Sequence, residues 1–266
     1  MPDSTHLHYL CCLSLSILTN SFSRFKEFVL QHQFVEQANQ SFLHLNAHLK
    51  VFFVESGKNT KNASKNLQKQ VLELRKNGFQ VFVVREENWL NKELLIREII
   101  RYKLQKLIAV FARDLKVGKI SASDAKDFLQ KNHLLGFVKS RTYIALYIPE
   151  HRKFRFEKFG FSGIVAVAVF GKNMLRKKEG FEGTKSVEWA RFVTLPEIRI
   201  VGGITKVFEY LNEMDPFDDV MTYVDIENND SKGLQNIGFT LEEITEPIQL
   251  NDGYNLGNYK LRYVRS

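Results

Sequence analysis

The residues best equipped to hold an anion lie where a strand runs through Gly202-Gly203 into a helix. Ile204, Val207, Phe208 and Leu211 fall at i, i+3, i+4 and i+7, so the helix begins directly after the glycines and has one apolar face to bury. The first amides of a helix have no internal acceptor, and its dipole adds partial positive charge there. With no Cβ on Gly202 or Gly203, a phosphate can come close to the amides of Val201, Gly202, Gly203, Ile204, Thr205 and Lys206. The side chains of Arg199 and Lys206 add charge on either side. Two groups are candidates for moving a proton. Glu188 sits on the strand that leads toward this turn and His133 at a helix end, so either could act as general base toward an amine.

The elements that must position these groups are readable. Ser186 to Leu195 patterns as a strand stopped by Pro196, and Asp219 to Ile226 as a second strand beyond the helix. Strand, helix, strand implies a parallel crossover. Upstream, 107–111 patterns as a strand, and Ser121 with Asp124 forms a capping signal for a helix that turns Ala125, Phe128 and Leu129 inward. Tyr143 to Ile148 and Gly163 to Phe170 pattern as paired strands joined by the basic connection His151-Arg152-Lys153-Phe154-Arg155, and Tyr259 to Val264 as a closing strand.

The run Leu195-Pro196-x-x-Arg199-x-x-Gly202 resembles the acyl-CoA-binding motif of the GNAT N-acetyltransferases, and Gly233 to Phe239, ending in Gly-Phe, resembles their second motif. The order of strand, helix, antiparallel strands and glycine turn is also theirs. The resemblance implies an α+β fold, a mixed and mostly antiparallel sheet flanked by helices. It also implies acetyl-CoA or another acyl-CoA as acyl donor, an amine acceptor, and pyrophosphate held by the amides after Arg199, with Gly202, Gly203 and Thr205 in that role. In the family a strand ahead of the motif splays from its neighbour. This sequence departs from the pattern at Ile204, where the family has a second small residue, and at Leu234, where it often has a proton-donating Tyr.

Residues 50–106 pattern as a small α/β segment: a strand at Val51 to Val54, a Lys-rich helix ended by Gly78, a strand at Phe79 to Val84, and a helix from Trp89 capped by Asn88. With Glu86-Glu87-Asn88-Trp89-Leu90-Asn91-Lys92, this segment resembles the end of the very-short-patch-repair-like nuclease domain of phage homing endonucleases, some of which continue into a GNAT-like domain. That resemblance covers roughly residues 80–240 and implies carboxylates and a Lys around a divalent metal, for which Glu55, Glu86, Glu87 and Lys58 are the available groups. The charge pattern bears on the same alternative: residues 50–120 carry 16 Lys or Arg against 7 Asp or Glu, whereas 213–252 carry 1 against 11. A basic stripe suits phosphate-rich partners, nucleic acid or coenzyme A.

Residues 1–49 pattern as a helical extension, with Phe22, Phe25, Lys26 and Val29 at helical spacing. His44 and His48 stand four apart with no carboxylate to complete a metal set, so no metal site is expected. Leu7 to Leu18 is too short to span a bilayer. Cys11 and Cys12, the two cysteines present, are adjacent and build neither a disulfide framework nor a zinc site, which makes a reducing cytoplasm the simplest compartment. At 44% hydrophobic residues and a net charge of +8, the 266-residue chain has material for a sizeable core. The expected organisation is 1–49 helical extension, 50–106 nuclease-like α/β segment, and 107–266 GNAT-like domain. The function that the resemblance implies is acyl transfer from acyl-CoA to an amine or, as the alternative, DNA binding or nicking on a GNAT-like scaffold.

Overall fold

The computed structural model describes residues 21–31, 37–38, 43–44, 48–57, 59–157, 160, 163–177 and 180–265. The readings of Leu7–Leu18, Cys11, Cys12 and Lys58 lie outside these residues, as do the side chains of His44 and Arg155. The chain divides into two compact units, the first holding the residues up to Ile96 together with Asp225–Asp230 and Thr245–Asn258, the second Arg97–Val224, Ser231–Ile244 and Tyr259–Ser266. The division falls at 96/97 and is interleaved along the sequence, whereas the sequence reading has boundaries at 49/50 and 106/107.

In the first unit, helix α1 (21–31) buries Phe25, Phe28 and Val29, and Phe25 meets Trp89 edge-on at 5.1 Å between centroids. Beyond it the expected helix gives way to short strands β1 (Gln37–Ala38) and β2 (Leu43–His44), which pair antiparallel. His44 is therefore in a strand and His48 in a bend, and the four-residue spacing places nothing on a common helix face. Strand β3 (Leu49–Val54) and strand β4 (Gln80–Arg85) run parallel across helix α2 (Lys61–Lys76) and complete a four-stranded sheet. The Thr60 hydroxyl accepts from Ala63 N at 3.2 Å to start α2, and Gly78, at φ 88°, ends the turn that follows it. Helix α3 (Glu86–Leu104) starts three residues before Trp89, with Glu86 and Glu87 in its first turn, and is kinked at Lys92.

Two later segments complete this unit. Val83 N donates to Glu227 O at 2.9 Å, and strands β14 (Gln249–Leu250) and β15 (Gly253–Tyr254) form a hairpin whose Tyr254 carbonyl accepts from Ser64 Oγ at 3.0 Å and Arg85 Nη1 at 3.1 Å. Arg85 also reaches Glu227 at 3.2 Å and both oxygens of Asp252 at 3.1 Å, with Arg85 and Glu227 almost wholly buried.

The second unit is α+β, with a mixed, mostly antiparallel sheet. Its strands are β6 (Lys116–Lys119), β7 (Thr142–Tyr147), β8 (Ile164–Phe170), β9 (Met174–Leu175), β10 (Lys185–Thr194), β12 (Asp219–Asp225), β13 (Thr240–Ile244) and β16 (Asn258–Val264). They are ordered β13-β16-β12-β10-β8-β7-β6, with β9 beside β10. Strand β8 is interior to the sheet, between β10 and β7: all its residues after Ile164 are buried, as expected for a strand covered on both faces. Helix α4 (Ala122–Asn132), capped by Ser121, packs Ala125 and Leu129 against Tyr143, Ala145, Val167, Val169 and Val193. Strands β5 (Ile108–Phe111) and β11 (Ile198–Val201) pair parallel beside this sheet. Helix α6 (Gly203–Met214) buries Val207, Phe208 and Leu211, each worth about 1.5–3 kcal/mol of transfer free energy. The basic connection 151–155 is helical, a 3-10 turn at Glu150–Arg152 followed by α5 (Lys153–Phe156). Arg152 is ion-paired with Asp114 and Lys153 with Glu150.

Candidate functional site

Strands β10 and β12 are parallel neighbours over three residue pairs only, Ser186↔Asp219, Val187↔Val220 and Glu188↔Met221. Beyond these, β10 shifts register between Trp189 and Arg191 and continues to Thr194 against β8 alone. Thr222 Oγ1 donates to Trp189 O at 2.8 Å where the ladder ends. The shared end of the pair is held by charge: Asp219 accepts from Ser186 Oγ and is ion-paired with Arg176, at 3.2 Å, and with Arg262. One end of the parallel pair is thus bolted, and the other, toward the carboxyl end of β10, is open. Mid-strand Thr222 and the Asp219 pairings carry no local sequence signal, and reading the sequence alone misses both.

A helix that crosses between parallel strands runs back against them, which puts its N-terminus at the carboxyl end of the first strand. Helix α6 fits this rule. Its N-cap is Gly202, at φ 76°, with no side-chain cap and no acidic residue in the first turn. The first amide with an intrahelical acceptor is Lys206 N, bonded to Gly202 O at 3.1 Å, so the amides of Gly203, Ile204 and Thr205 are left for another acceptor.

The seven residues read from the sequence as an anion cradle divide by role. Gly202 is exposed and left-handed, and an added Cβ would meet only Ala112 Cβ, at 3.7 Å. Gly203 is buried, and a Cβ there would press on Ile200 Cγ2 at 2.7 Å and Leu146 Cδ1 at 3.3 Å, so this position is glycine for packing. Lys206 Nζ donates to Ala112 O at 2.9 Å and Leu115 O at 2.6 Å, where it holds the 3-10 turn Ala112–Asp114 to α6. Val201 is paired with Phe111 across the β11–β5 ladder. Arg199 and Thr205 are exposed, and Ile204 is half-buried.

Glu188 occupies the last paired position before β10 and β12 part, and its side chain is exposed. His133 is the C-cap of α4; its Nδ1 accepts from Leu135 N at 3.0 Å, a turn-closing role. Leu234 lies in the short helix α7 (Lys232–Gln235).

The nuclease-like set gathers no metal-holding cluster among the described residues, and Lys58 lies outside them. The Glu86 carboxylate is buried and accepts from Ser56 N at 2.9 Å and from Ser21 Oγ, which ties α1 to the loop after β3. Among the described residues no group of three or more His, Cys, Asp or Glu could hold a metal ion. The basic stripe is also partly spent inside the fold. Arg75 and Arg85 are buried, Lys50 is buried over the Phe79 ring at 4.1 Å, and Lys65 is paired with Glu246. No helix among the described residues is long and apolar enough to cross a membrane.

No protein-family model matches the sequence, and no curated protein matches it. Solved structures similar to the chain include a ribosomal-protein-S5-alanine acetyltransferase from Vibrio fischeri, at 12% identity and a TM-score of 0.39, covering 57% of this chain and 93% of that one. A spermidine/spermine N-acetyltransferase from Vibrio cholerae, in complex with manganese ions, aligns at 11% identity and 0.40, over 57% and 94%. A GNAT family acetyltransferase from Elizabethkingia anophelis, with acetyl-CoA bound, aligns at 11% and 0.37, over 57% and 99%. Likeness this distant leaves the functional argument to the chain's own geometry.

Proposed function

We propose that the second unit is an N-acyltransferase of GNAT type that moves an acyl group from acyl-CoA to an amine. The observation that supports this reading is the coincidence of two features at one end of one crossover. A parallel strand pair comes apart after Glu188↔Met221, and the uncapped, acid-free N-terminus of α6 lies at the carboxyl end of the same strand. The first exposes strand backbone to a carbonyl whose oxygen gains charge during acyl transfer; the second receives pyrophosphate.

Acyl-CoA, when bound, supplies the activated thioester. The amides of Gly203, Ile204 and Thr205 hold its pyrophosphate, the exposed Arg199 adds a charge-assisted contact, and the αL turn at Gly202 keeps side-chain bulk away from the approach. Lys206 acts indirectly: bonded to two carbonyls, it fixes the start of the helix. Glu188, exposed at the point where the strands part, takes the proton from the attacking amine, directly or through water. His133 is engaged in closing its turn and receives no role. With leucine at 234, the departing thiolate takes its proton from water.

The test is titration calorimetry of the protein with acetyl-CoA and coenzyme A. Gly203→Val is a poor probe, because its side chain would collide with Ile200 and Leu146 whether or not a ligand binds there. Thr205→Glu is better: a carboxylate in the first turn suits the helix dipole but repels phosphate. We expect micromolar binding, weakened at least about tenfold in Thr205→Glu and in Arg199→Ala with unchanged melting. No binding at roughly millimolar ligand, weaker than about −4 kcal/mol, would overturn the proposal.

A further inference from the structure

A second cleft in the same unit runs along the flank of α6, beside its first-turn residues Ile204 and Thr205. It encloses about 190 Å³ and is lined by Thr205, Phe208, Glu209, Phe217, Tyr263 and Arg265, among others. For scale, an apolar cavity of about 150 Å³ takes up benzene, so the space suits one side chain of ring size. The apolar part is a fixed aromatic corner: Phe208 meets Phe217 edge-on at 6.1 Å and Tyr263 at 5.6 Å between centroids. The backbone around it is tied down as well, with Arg265 N donating to Asp218 O at 2.9 Å and Phe217 N to Asn212 Oδ1 at 3.4 Å.

Among the described residues, the polar groups around this corner are unemployed. The Thr205 hydroxyl, the Glu209 carboxylate, the Tyr263 hydroxyl and the Arg265 guanidinium have no hydrogen-bond or ion-pair partner among the described residues. Elsewhere in the unit comparable charges are used, as in the pairs Arg176–Asp219, Arg262–Glu242 and Arg152–Asp114. An apolar pocket rimmed by a few convergent, unused polar groups is the usual form of a small-molecule site. The signs of those groups restrict the ligand. A simple anion would leave Glu209 facing negative charge, and a simple amine would leave Arg265 facing positive charge. A zwitterion satisfies both.

We propose that this cleft binds a free α-amino acid with an apolar side chain. The carboxylate meets Arg265, with the Tyr263 and Thr205 hydroxyls as further donors, the ammonium meets Glu209, and the side chain rests against Phe208 and Phe217. The cleft adjoins the acyl-CoA proposal at Ile204 and Thr205, but it uses neither the strand opening nor Arg199, and Arg265→Gln and Glu209→Gln leave the amides that begin α6 unchanged.

The experiment is titration of the full-length protein with L-phenylalanine and L-leucine, followed calorimetrically without any thioester present. N-acetyl-L-phenylalanine and L-phenylalaninamide, each lacking one of the two charges, serve as probes of the pairing. Saturable binding is expected for at least one of the two amino acids, with both single-charge probes at least about tenfold weaker. Arg265→Gln and Glu209→Gln should each cause a similar loss; both side chains are exposed, and melting curves check that the variants fold. Absence of saturable binding of either amino acid up to about 10 mM, equal affinity for either single-charge probe, or wild-type affinity in both variants would each overturn the proposal.

Discussion

Each unit carries a partly buried ionic network, and the two have opposite charge excess. In the first, the carboxylates of Asp225, Glu227 and Asp252 share the guanidinium groups of Arg75 and Arg85. In the second, the cations Arg176, Lys260 and Arg262 share Asp219 and Glu242. Where carboxylates are in excess, a proton is the missing partner. Burial pushes Glu227 up, the neighbouring Asp225 charge adds to this, and Arg85 offsets it only in part, so the group titrates at about 8; Asp225 is raised too, again chiefly by burial. Where cations are in excess the direction reverses. Burial alone would lift Glu242, but Arg262 and Lys260 more than compensate and hold it below the usual carboxylate range.

The difference fixes two opposite pH responses. A carboxyl raised in the folded state binds its proton more tightly folded than unfolded, so its contribution to stability falls as pH rises from about 4.5 to about 8. A carboxyl that is lowered contributes stability above its unfolded value and loses it as pH falls through the folded one. The first unit should therefore loosen toward alkaline pH and the second toward acid.

The most damaging way to break the comparison is Arg85→Met, which leaves Glu227 and Asp252 without their shared cation. Removing one partner of a buried pair costs about 3–5 kcal/mol, and urea denaturation should show a loss of that size. Asp219→Asn should cost less, about 2–3 kcal/mol, because Arg176 and Arg262 keep 12% and 13% exposure and so some access to water. Hydrogen exchange should show its effect concentrated at Ser186–Glu188 and Asp219–Met221, the three pairs that hold β10 to β12. Glu227→Gln has the smallest effect and sharpens the comparison most. It removes the titration and keeps the shape, so the fall in unfolding free energy between pH 5 and pH 8, read from urea denaturation, should be shallower than in the wild type, by at most about 1.4 kcal/mol per pH unit. Parallel curves for the two proteins would show that Glu227 titrates normally.

Much of the fold is legible in local sequence, because its signals are local. Ser121 caps α4 where its side chain accepts the amide three residues on, Pro196 stops β10, and the i, i+3, i+4 stripe of α6 is buried as the periodicity requires. What escapes reading has no local signature. The pairing of Val83 with Glu227 and the three donors on the Tyr254 carbonyl join residues more than a hundred positions apart. The strands at Gln37–Ala38 and Leu43–His44 are too short to show a period against the helical spacing that precedes them. At the candidate site the turn was visible, but the division of labour within it was not. Gly203 owes its identity to Ile200 and Leu146, and Lys206 to two carbonyls near Ala112, contacts that only the folded chain makes.

The interleaving of the two units sets an order of events for a chain made from its N-terminus. It passes between units at 96/97, 224/225, 230/231, 244/245 and 258/259. The β4 strand is complete at Arg85, yet the carbonyl that Val83 N awaits belongs to Glu227, and the carboxylate that grips Arg85 in bidentate fashion belongs to Asp252. At about 5–20 residues per second these arrive on the order of 10–30 s later. The first third of the message to be read is thus among the last parts to become structure. Until then β4 presents an unpaired amide and a guanidinium without its acids, and this unit closes only when the second has nearly been finished.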